Sequence, residues 1–305
     1  MTKIAIVVLN WNQPQLTIDT INSILKIKSF NFKYKIFLVD NNSSDNSVAH
    51  FQDKYGKNSA IEIIQTASNL GYVGNNVGIK KALKEKFNYV LLINNDVIVD
   101  PNFLKELLAG ANLGYDIVGP KIYFAPGFEY HANWYSANDI GRVLWSAGGK
   151  IDWNNVYGSN LGVDEVDKGQ YDFNNNKVDF LTGCCLLIKS NVFKKIGLLN
   201  EKYFMYLEDM EFCQKAKNEK IKMSYIYKSK IWHLNSGSSK SGGDLHDYFL
   251  TRNRLIFGFK YARLHTKLAL LKESLLQITS SKSTNWKKKG IIDFYLKKFN
   301  KGSWQ

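Results

Sequence analysis

Three short clusters of amide and carboxylate side chains each follow a run of apolar residues. The clusters are Asn10-Trp11-Asn12, Asp40-Asn41-Asn42 and Asn94-Asn95-Asp96. Asn and Asp favour turns because their side chains hydrogen-bond the nearby backbone, so three solvated turns are one interpretation. The other is a ligand site, since polar groups at the carboxyl ends of parallel strands lie where open α/β sheets bind small molecules.

A glycine-rich stretch lies between the second and third clusters. It reads "NLGYVGNNVG" and contains Gly71, Gly74 and Gly78 just before a helical pattern. Backbone N–H groups at such a helix start suit a phosphate. The stretch is not the dinucleotide fingerprint G-x-G-x-x-G, and no P-loop G-K-[ST] occurs in the chain. The glycine pattern alone is therefore a weak indicator of an anion site.

The apolar runs predict the elements that must position these groups. Strands are expected in "KIAIVVLN" (3–10), in "KIFLVDNNSSDNS" (35–47) before its polar turn, at the start of 61–84, and in "YVLLINND" (89–96). Helical spacing appears at 17–26 and at the end of 61–84. This alternation favours an α/β fold with a parallel sheet, so the three strand ends would share one crevice.

Composition narrows the class of partner. The 305 residues include 45% apolar side chains, enough for a substantial core in one large domain or two coupled ones. The formal charge of +14 and the pI near 9.4 indicate an anionic partner. Nucleic acid, a phosphorylated small molecule and an acidic membrane surface all satisfy that charge.

The amino-terminal residues and the cysteines indicate a compartment. "MTKIAIVVLNWN" enters a strand at once and lacks the cleavage site of a secretory signal. No run reaches the roughly 18 to 20 apolar residues that a spanning helix needs. We therefore expect a cytoplasmic protein. Cys184, Cys185 and Cys213 fit neither a disulfide framework nor a zinc spacing, and we interpret them as core residues.

Eight motifs occur in an order that resembles one enzyme family. They are "VVLNWN", "VDNNSSDNS", "NLGYVGNNVG", "LLINNDV", "SAGGKID", "FLTGCCLLIKSNVFKKIGLLNEKYFMYLEDMEFCQKAK", "IWHLNSGS" and "YFLTRNRL". Together they resemble an inverting family 2 glycosyltransferase, in the branch that includes bacterial rhamnosyltransferases of cell-surface polysaccharide assembly. The resemblance implies a GT-A fold, in which a Rossmann-like, mostly parallel sheet is flanked by helices. It divides the chain into a nucleotide-sugar-binding half (1–100), an acceptor-binding half (101–250) and a basic helical tail (251–305).

The resemblance also implies a donor and an acceptor. The donor would be dTDP-rhamnose or a UDP-sugar, and the acceptor a hydroxyl of a growing glycan or lipid-linked sugar. The base and the ribose would be bound by Asp40, Asn10 and Asn12, with Asn75 close by. Further donor contacts are expected at Asn42, Gly71, Gly74, Asn95, Asp96 and Arg252. Arg252 can offer a planar fork to the diphosphate, although a salt bridge on the helix surface is the alternative.

A divalent cation, Mg²⁺ or Mn²⁺, is implied beside the diphosphate. Asp96 corresponds to the last acidic residue of the family's DxD signature, and His233 to a histidine that often binds the metal. This sequence offers Asn94 and Asn95 before its single Asp, so we expect the donor phosphates to supply other ligands. A packed core residue is the alternative for His233. The Gly/Ser-rich run 235–243 is expected to be a mobile loop over the ligand, or a plain connector.

The stretch "YLEDMEF" carries the implied chemistry. Direct displacement needs a base to take the proton of the acceptor hydroxyl, and the resemblance gives this role to Asp209. Glu208 would orient the acceptor or tune its neighbour, and Glu211 takes a third acidic position in the sugar pocket. Thr182 and Gly183 would let substrate approach the backbone closely. A helix start with an acidic first turn is the structural alternative for the three acids.

The tail from residue 256 to the end is strongly basic. It has eleven Lys or Arg and two acidic side chains, a net charge of +9. Aromatic and aliphatic residues alternate with the lysines in "WKKKGIIDFYLKKF", which is typical of a basic amphipathic surface segment. We expect peripheral contact with the inner face of the cytoplasmic membrane, with a solvated helix as the alternative. No nucleic-acid motif accompanies the charge, so nucleic acid is not expected as a partner.

Two other functions remain to be separated from a transferase. A glycoside hydrolase would use Glu208 and Asp209, but adjacent residues are a poor source of carboxyls that must flank a bond. A noncatalytic module for nucleotide-sugar or polysaccharide would bind the donor and turn nothing over. Turnover with an acceptor distinguishes both from a transferase.

Overall fold

The computed structural model describes residues 1–28, 31–235 and 243–304. Its strands are β1 (Thr2–Asn10), β2 (Phe32–Asp40), β3 (Ile61–Gln65), β4 (Tyr89–Ile93), β5 (Val97–Val99), β6 (Ile117–Phe124), β7 (Leu144–Ser146), β8 (Gly149–Asp152), β9 (Tyr157–Asn160), β10 (Cys185–Lys189) and β11 (Met223–His233). Its helices are α1 (Pro14–Ile24), α2 (Ser47–Tyr55), α3 (Asn75–Lys84), α4 (Phe103–Asn112), α5 (Ser190–Ile196), α6 (Glu208–Asn218), α7 (Asp244–Tyr261), α8 (Leu264–Thr279) and α9 (Asn285–Tyr295). Most of the expected mobile loop, residues 236–242, lies outside this description.

Nine of the strands form a single sheet. Its order is β3-β2-β1-β4-β10-β6-β11-β5, and β7 pairs with β6. The first four strands in this order are mutually parallel, as the alternation of strands and helices predicted. β10 pairs antiparallel to both β4 and β6, so it joins the amino-terminal strands to the rest of the sheet. A separate hairpin of β8 and β9 completes the strands of the described residues.

The strand registers bring the polar clusters to one edge. Asn10 pairs with Asp40, and Val8 pairs with Ile93, directly before the third cluster. The carboxyl ends of β1, β2 and β4 are therefore level. Pro14 then begins α1, where its missing N–H costs nothing because the first N–H groups of a helix have no partner inside it.

The core lies on both faces of the sheet. Successive residues of β1 point to opposite faces, so Ala5 and Val7 join one cluster while Ile4, Ile6 and Val8 join the other. Each buried valine or isoleucine among them contributes about 1.5 to 3 kcal/mol. Gly78 lets α3 approach β1, because a Cβ there would lie 2.4 Å from Cγ1 of Val7. Apolar burial thus fixes the helices that border the strand-end edge.

The tail is helical, as predicted, and packs back on the rest of the chain. Gly290 of α9 lies against the backbone of Tyr248 in α7. Tyr248 and Phe249 form an aromatic cluster with Trp286 and Trp304. The two boundaries between the predicted regions stay a prediction, and β5 pairs with β11 across residue 100 while α7 runs through residue 250.

The cysteines and the helix lengths agree with two of the expectations. Cys184, Cys185 and Cys213 are all free and buried, as predicted. Among the described residues, no helix combines the length and the apolar character that crossing a bilayer requires. The cytoplasmic location stays a prediction.

Candidate active site

Asn10 and Asp40 form a buried network at the level strand ends. Nδ2 of Asn10 donates to Oδ1 of Asp40 at 2.9 Å, and Oγ1 of Thr17 donates to Oδ1 of Asn10 at 2.7 Å. The backbone N–H of Ser43 donates to Oδ2 of Asp40 at 3.0 Å. Both side chains are thus engaged by the chain itself. Their direct effect is to fix the loops that follow β1 and β2.

The third residues of the first two clusters, Asn12 and Asn42, line the rim. Asn12 and Asn42 both have left-handed backbone, with φ of +53° and +60°. Oδ1 of Asn12 accepts the N–H of Ser44 at 2.8 Å, which ties the two loops together. Asn42 is exposed, and so is Trp11 beside Asn12. These groups therefore face solvent at the mouth of the crevice.

The glycine-rich turn packs on the segment that precedes α6. Gly71 has φ +66°, and a Cβ there would lie 2.2 Å from the carbonyl oxygen of Phe204. Gly74 has equally little room, since its Cβ would lie 2.9 Å from Oδ1 of Asn41. Nδ2 of Asn75 donates to the Tyr72 carbonyl at 2.9 Å, whereas its buried Oδ1 has no partner among the described residues. Asn75 thus keeps an acceptor for a ligand.

Asp96 and His233 are in contact, as the metal prediction requires. Nε2 of His233 lies 3.2 Å from Oδ1 of Asp96, and both side chains are nearly buried. The contact follows from the pairing of β5 with β11, in which His233 is opposite Val97. The ring of Trp145 packs edge-on against His233 at 4.7 Å between centroids.

This pair fits a cation only in part. It offers one anionic oxygen and one imidazole, and no group of three or more His, Cys, Asp or Glu side chains suited to a metal occurs among the described residues. Asn95 is turned toward α1, where its Nδ2 donates to Oγ1 of Thr17 at 3.0 Å. A cation held here would take its remaining ligands from outside the chain, as Mg²⁺ commonly does with substrate phosphates.

Glu208 and Asp209 begin α6 after a strained segment. Phe204, Tyr206 and Leu207 have φ of +60°, +68° and +67°. Such backbone is uncommon outside glycine and is often associated with functional sites. Oδ2 of Asp209 accepts the N–H of Gly183 at 2.8 Å, and Oδ1 accepts the N–H of Met210 at 2.7 Å. Asp209 is thus tied to a second part of the chain.

Burial raises the pKa of both carboxyls. The pKa of Asp209 is above its ordinary value even though two backbone N–H groups favour the anion. Burial, and then the charge of Asp209, raise the pKa of Glu208 well above its ordinary value. Oε2 of Glu208 has no hydrogen-bond partner in the described part of the chain. The environment therefore favours a protonated Glu208 beside an Asp209 that is more basic than a solvated aspartate.

The short segment 182–184 contacts both Asp209 and the backbone of Asn94, which precedes Asp96. The Cys184 carbonyl accepts the N–H of Asn94 at 2.9 Å, and the N–H of Gly183 binds Asp209. Burial raises the pKa of the Cys184 thiol, and the charges of Asp96 and Asp209 raise it further. Gly183 thus contacts the predicted base, and Cys184 is bonded to the backbone two residues before Asp96.

Two predicted site residues lie elsewhere. Glu211 is fully buried and accepts from Nζ of Lys260 at 2.8 Å and from the hydroxyl of Tyr261 at 3.0 Å. The guanidinium of Arg252 is also buried and donates to the Tyr203 carbonyl at 3.2 Å. Both groups are directed at the interior beside α7, so their positions give no support to a sugar-pocket or diphosphate role.

Sequence reasoning missed Asn253, which lies between the two arginines of "TRNR". Its buried Nδ2 is 2.9, 2.6 and 2.9 Å from the carbonyl oxygens of Tyr203, Met205 and Tyr206. It therefore fixes the backbone of residues 203–206, which precedes Glu208 and Asp209. The available signal was an Asn inside a helix, where its side chain is unfavourable unless it finds a backbone partner.

Tyr72 is a further residue of the site that the sequence does not single out, although it lies in the glycine-rich stretch. Its hydroxyl donates to the Gly183 carbonyl at 2.5 Å. Burial raises its pKa well above the ordinary value, and the charges of Glu208 and Asp209 add to the rise. Tyr72 thus links the glycine-rich turn to Gly183, whose N–H binds Asp209.

Comparison with known proteins identifies the family. The model of the family described as "Glycosyltransferase like family 2" matches residues 2–258. The chain belongs to glycosyltransferase family 2. This glycosyltransferase family 2 chain is 30% identical over 188 residues to the low-salt glycan biosynthesis hexosyltransferase Agl10 of Haloferax volcanii, covering 61% of the chain and 54% of that relative. It is 22% identical over 216 residues to the N-acetylglucosaminyl-diphospho-decaprenol L-rhamnosyltransferase of Mycobacterium tuberculosis, covering 67% of each. The chain thus spans about half the length of the first of these relatives.

Solved structures confirm the GT-A fold of the family 2 chain. GalNAc-T7, crystallised with UDP, GalNAc and Mn²⁺, aligns with a TM-score of 0.62 at 15% identity, over 84% of this chain and 51% of that one. Residues 1–349 of TarS from S. aureus align with a TM-score of 0.56 at 15% identity, over 96% and 79%. At this identity the likeness concerns the fold alone.

The raised pKa of Glu208 gives a prediction for stability. The folded chain holds this proton more tightly than the unfolded chain does. The stability of the wild type should therefore fall as the pH rises from about 4.3, the ordinary Glu value, to the folded pKa. Glu208→Gln removes that loss, so its free energy of unfolding should exceed that of the wild type at pH 8, and the excess should grow as the pH rises from the unfolded to the folded pKa. The difference should vanish near pH 4.

Urea unfolding followed across this pH range measures the difference. Glu201→Gln serves as the control, because the Glu201 side chain is exposed and its removal should leave the pH dependence unchanged. Parallel curves for Glu208→Gln and the wild type would show that the buried carboxyl does not carry the proton.

Proposed function

We propose that this chain transfers a hexose from a nucleotide-diphosphate sugar to a hydroxyl of a glycan or lipid-linked acceptor, with inversion. The observation that carries the proposal is the position of Asp209, a carboxylate of raised pKa that accepts the N–H of Gly183, next to Cys184, whose carbonyl accepts the N–H of Asn94 two residues before Asp96. The named activities of the relatives, a hexosyltransferase and an L-rhamnosyltransferase, favour the same reaction class.

Asp209 is the proposed base. The acceptor oxygen attacks the anomeric carbon, and its proton passes to the Asp209 carboxylate as the new C–O bond forms. The bond from the anomeric carbon to the donor phosphate breaks at the same time, and the diphosphate leaves with the electron pair. Because attack and departure occur on opposite faces, the configuration inverts. A protonated Glu208 spares Asp209 the repulsion of a second nearby anion.

Asp96 and His233 would hold the divalent cation, Mg²⁺ or Mn²⁺. Such a cation supplies positive charge beside the departing diphosphate, where negative charge grows during the reaction. The contact of the two side chains and their shielding from solvent support this assignment. A GT-A neighbour crystallised with Mn²⁺ is consistent with it.

The nucleotide is proposed to lie along the strand-end edge. Asn75 offers the free acceptor Oδ1, and Asn12 and Asn42 stand at the rim. Asn10, Asp40 and Asn95 would act chiefly by fixing the loops that border the base and ribose, since they are bonded to the chain itself. UDP and dTDP are both candidate carriers, and UDP is the nucleotide bound in a structure of TarS.

The first prediction tests the base. A thermal-shift screen of UDP- and dTDP-sugars with and without Mn²⁺ first identifies the donor. Asp209→Asn keeps the size of the side chain but cannot take the proton, so transfer should fall about 100-fold or more. Donor affinity by calorimetry should change little, because Asp209 is assigned to the acceptor. Asp53→Asn on the exposed side of α2 is the matched control and should keep full turnover.

Two results of that experiment would argue against the base assignment. Retained turnover in Asp209→Asn would pass the role to another group. Loss of turnover together with loss of donor affinity would indicate that Asp209 holds the structure together at the start of α6.

The second prediction tests the metal pair. In Mn²⁺, Asp96→Asn should weaken the affinity for UDP or dTDP by about tenfold or more, because one anionic ligand is lost. In excess chelator, wild type and Asp96→Asn should bind the nucleotide equally weakly. Calorimetry in both conditions gives the comparison, and His233→Gln should behave alike. Full transfer activity in excess chelator would refute a role for the cation.

A further inference from the structure

Helix α8 carries a row of leucines on its solvent side. Leu264, Leu268, Leu271 and Leu275 are 72%, 58%, 37% and 54% exposed. Their spacing of four, three and four residues places them along one stripe of the helix. We call these four residues the leucine ridge. Exposed apolar rows of this kind mark interaction surfaces, since single exposed leucines are common but aligned ones are not.

The opposite face of α8 already anchors the helix to the protein. Leu270 is buried and lies against Gly258 of α7. Oγ1 of Thr266 donates to the Trp153 carbonyl at 3.1 Å, and Ser274 is buried one turn further on. The opposite face therefore seats α8, and the ridge is left exposed among the described residues.

Charge around the ridge has a single sign. Lys267 and Lys272 lie on its two flanks, one on each side in the helical projection. The two acidic side chains of the tail are both bonded to other groups of the chain. Glu273 forms a two-point pair with Arg254 at 2.8 and 2.9 Å, and Asp293 is buried and accepts from Ser303. The side chains of the tail thus present positive charge to the outside.

Helix α9 extends the apolar surface. Ile292 and Leu296 are exposed and one turn apart. The Tyr295 hydroxyl lies 2.7 Å from Oγ of Ser274, so α9 packs against the seated side of α8. Lys289, Lys297 and Lys298 are exposed around these two residues. Apolar and basic groups therefore alternate over both helices.

We infer that the leucine ridge of α8 and its flanking lysines dock on an anionic lipid surface. The ridge enters the boundary between headgroups and acyl chains, while the lysines meet the lipid phosphates. A second copy of the chain is a poorer occupant. Pairing two ridges would bring Lys267 and Lys272 against lysines of the same sign, whereas paired helices use opposite charges beside their seam. This inference stands apart from the proposed transfer reaction, because lipid docking requires no donor.

The test uses the full-length chain, since α9 packs against α7 and its removal would disturb more than the surface. Binding is measured by co-sedimentation with phosphatidylcholine vesicles that either contain or lack phosphatidylglycerol. The wild type should bind only the vesicles that contain phosphatidylglycerol, and binding should fade as salt rises. Leu268→Ser combined with Leu275→Ser should lower the partition by about tenfold or more, because each leucine contributes apolar area to the contact.

Two further variants complete the design. Lys267→Glu combined with Lys272→Glu should also reduce binding, and Leu113→Ser, an exposed leucine at the end of α4, should leave it unchanged. Circular dichroism checks that all variants are folded. Failure of the wild type to bind at low salt, or equal binding by the leucine double variant, would overturn the inference. A dimer in sedimentation velocity that the leucine double variant abolishes would instead assign the ridge to a second copy.

Discussion

The side-chain amide of Asn253 is the contact on which the site depends. Its Nδ2 donates to three backbone carbonyls of the segment 203–206, those of Tyr203, Met205 and Tyr206, at 2.6 to 2.9 Å. That segment contains left-handed residues that are not glycine, each of which costs about 1 to 3 kcal/mol. Hydrogen bonds of this kind contribute about 0.5 to 1.5 kcal/mol each. The buried Nδ2 of Asn253 thus holds the backbone in the geometry that presents Glu208 and Asp209.

The same stretch of backbone contacts the glycine-rich turn, α7 and the end of the tail. The Phe204 carbonyl accepts the N–H of Tyr72 at 2.7 Å, which links it to the glycine-rich turn. The Phe204 ring stacks on Phe249 of α7, and the Lys202 carbonyl accepts the N–H of Asn300 from the end of the tail. The tail therefore helps to hold the segment that precedes Glu208 and Asp209. Its outer face makes none of these contacts and is the surface proposed to dock on a membrane.

Features that depend on hydropathy could be predicted from the sequence. The strands that end at Asn10 and Asp40 were predictable because long apolar runs allow one buried arrangement in an α/β sheet. Asp96, His233 and Asp209 were proposed from the order of the motifs and their roles stay predictions, although the structure brings Asp96 into contact with His233 and Asp209 into contact with Gly183.

Features that depend on three-dimensional packing could not be predicted in the same way. Arg252 and Glu211 are polar residues on helices, and spacing alone does not reveal that both point into the interior. The left-handed backbone of Phe204 has no sequence signal, because only glycine and a few polar residues favour that region. The leucine ridge has helical periodicity, but periodicity also describes a buried face, so its exposure required the structure.

The most direct test of this account is the turnover of Asn253→Ala compared with its donor affinity, measured on the same sample. Alanine removes the amide that holds the segment 203–206, and the Asp209 carboxylate should lose its alignment. We expect turnover to fall by about tenfold or more, while donor affinity stays within about twofold, because the donor is assigned to the strand-end edge. Lower thermal stability with unchanged turnover would contradict the account, since Asn253 would then support the fold without positioning the base.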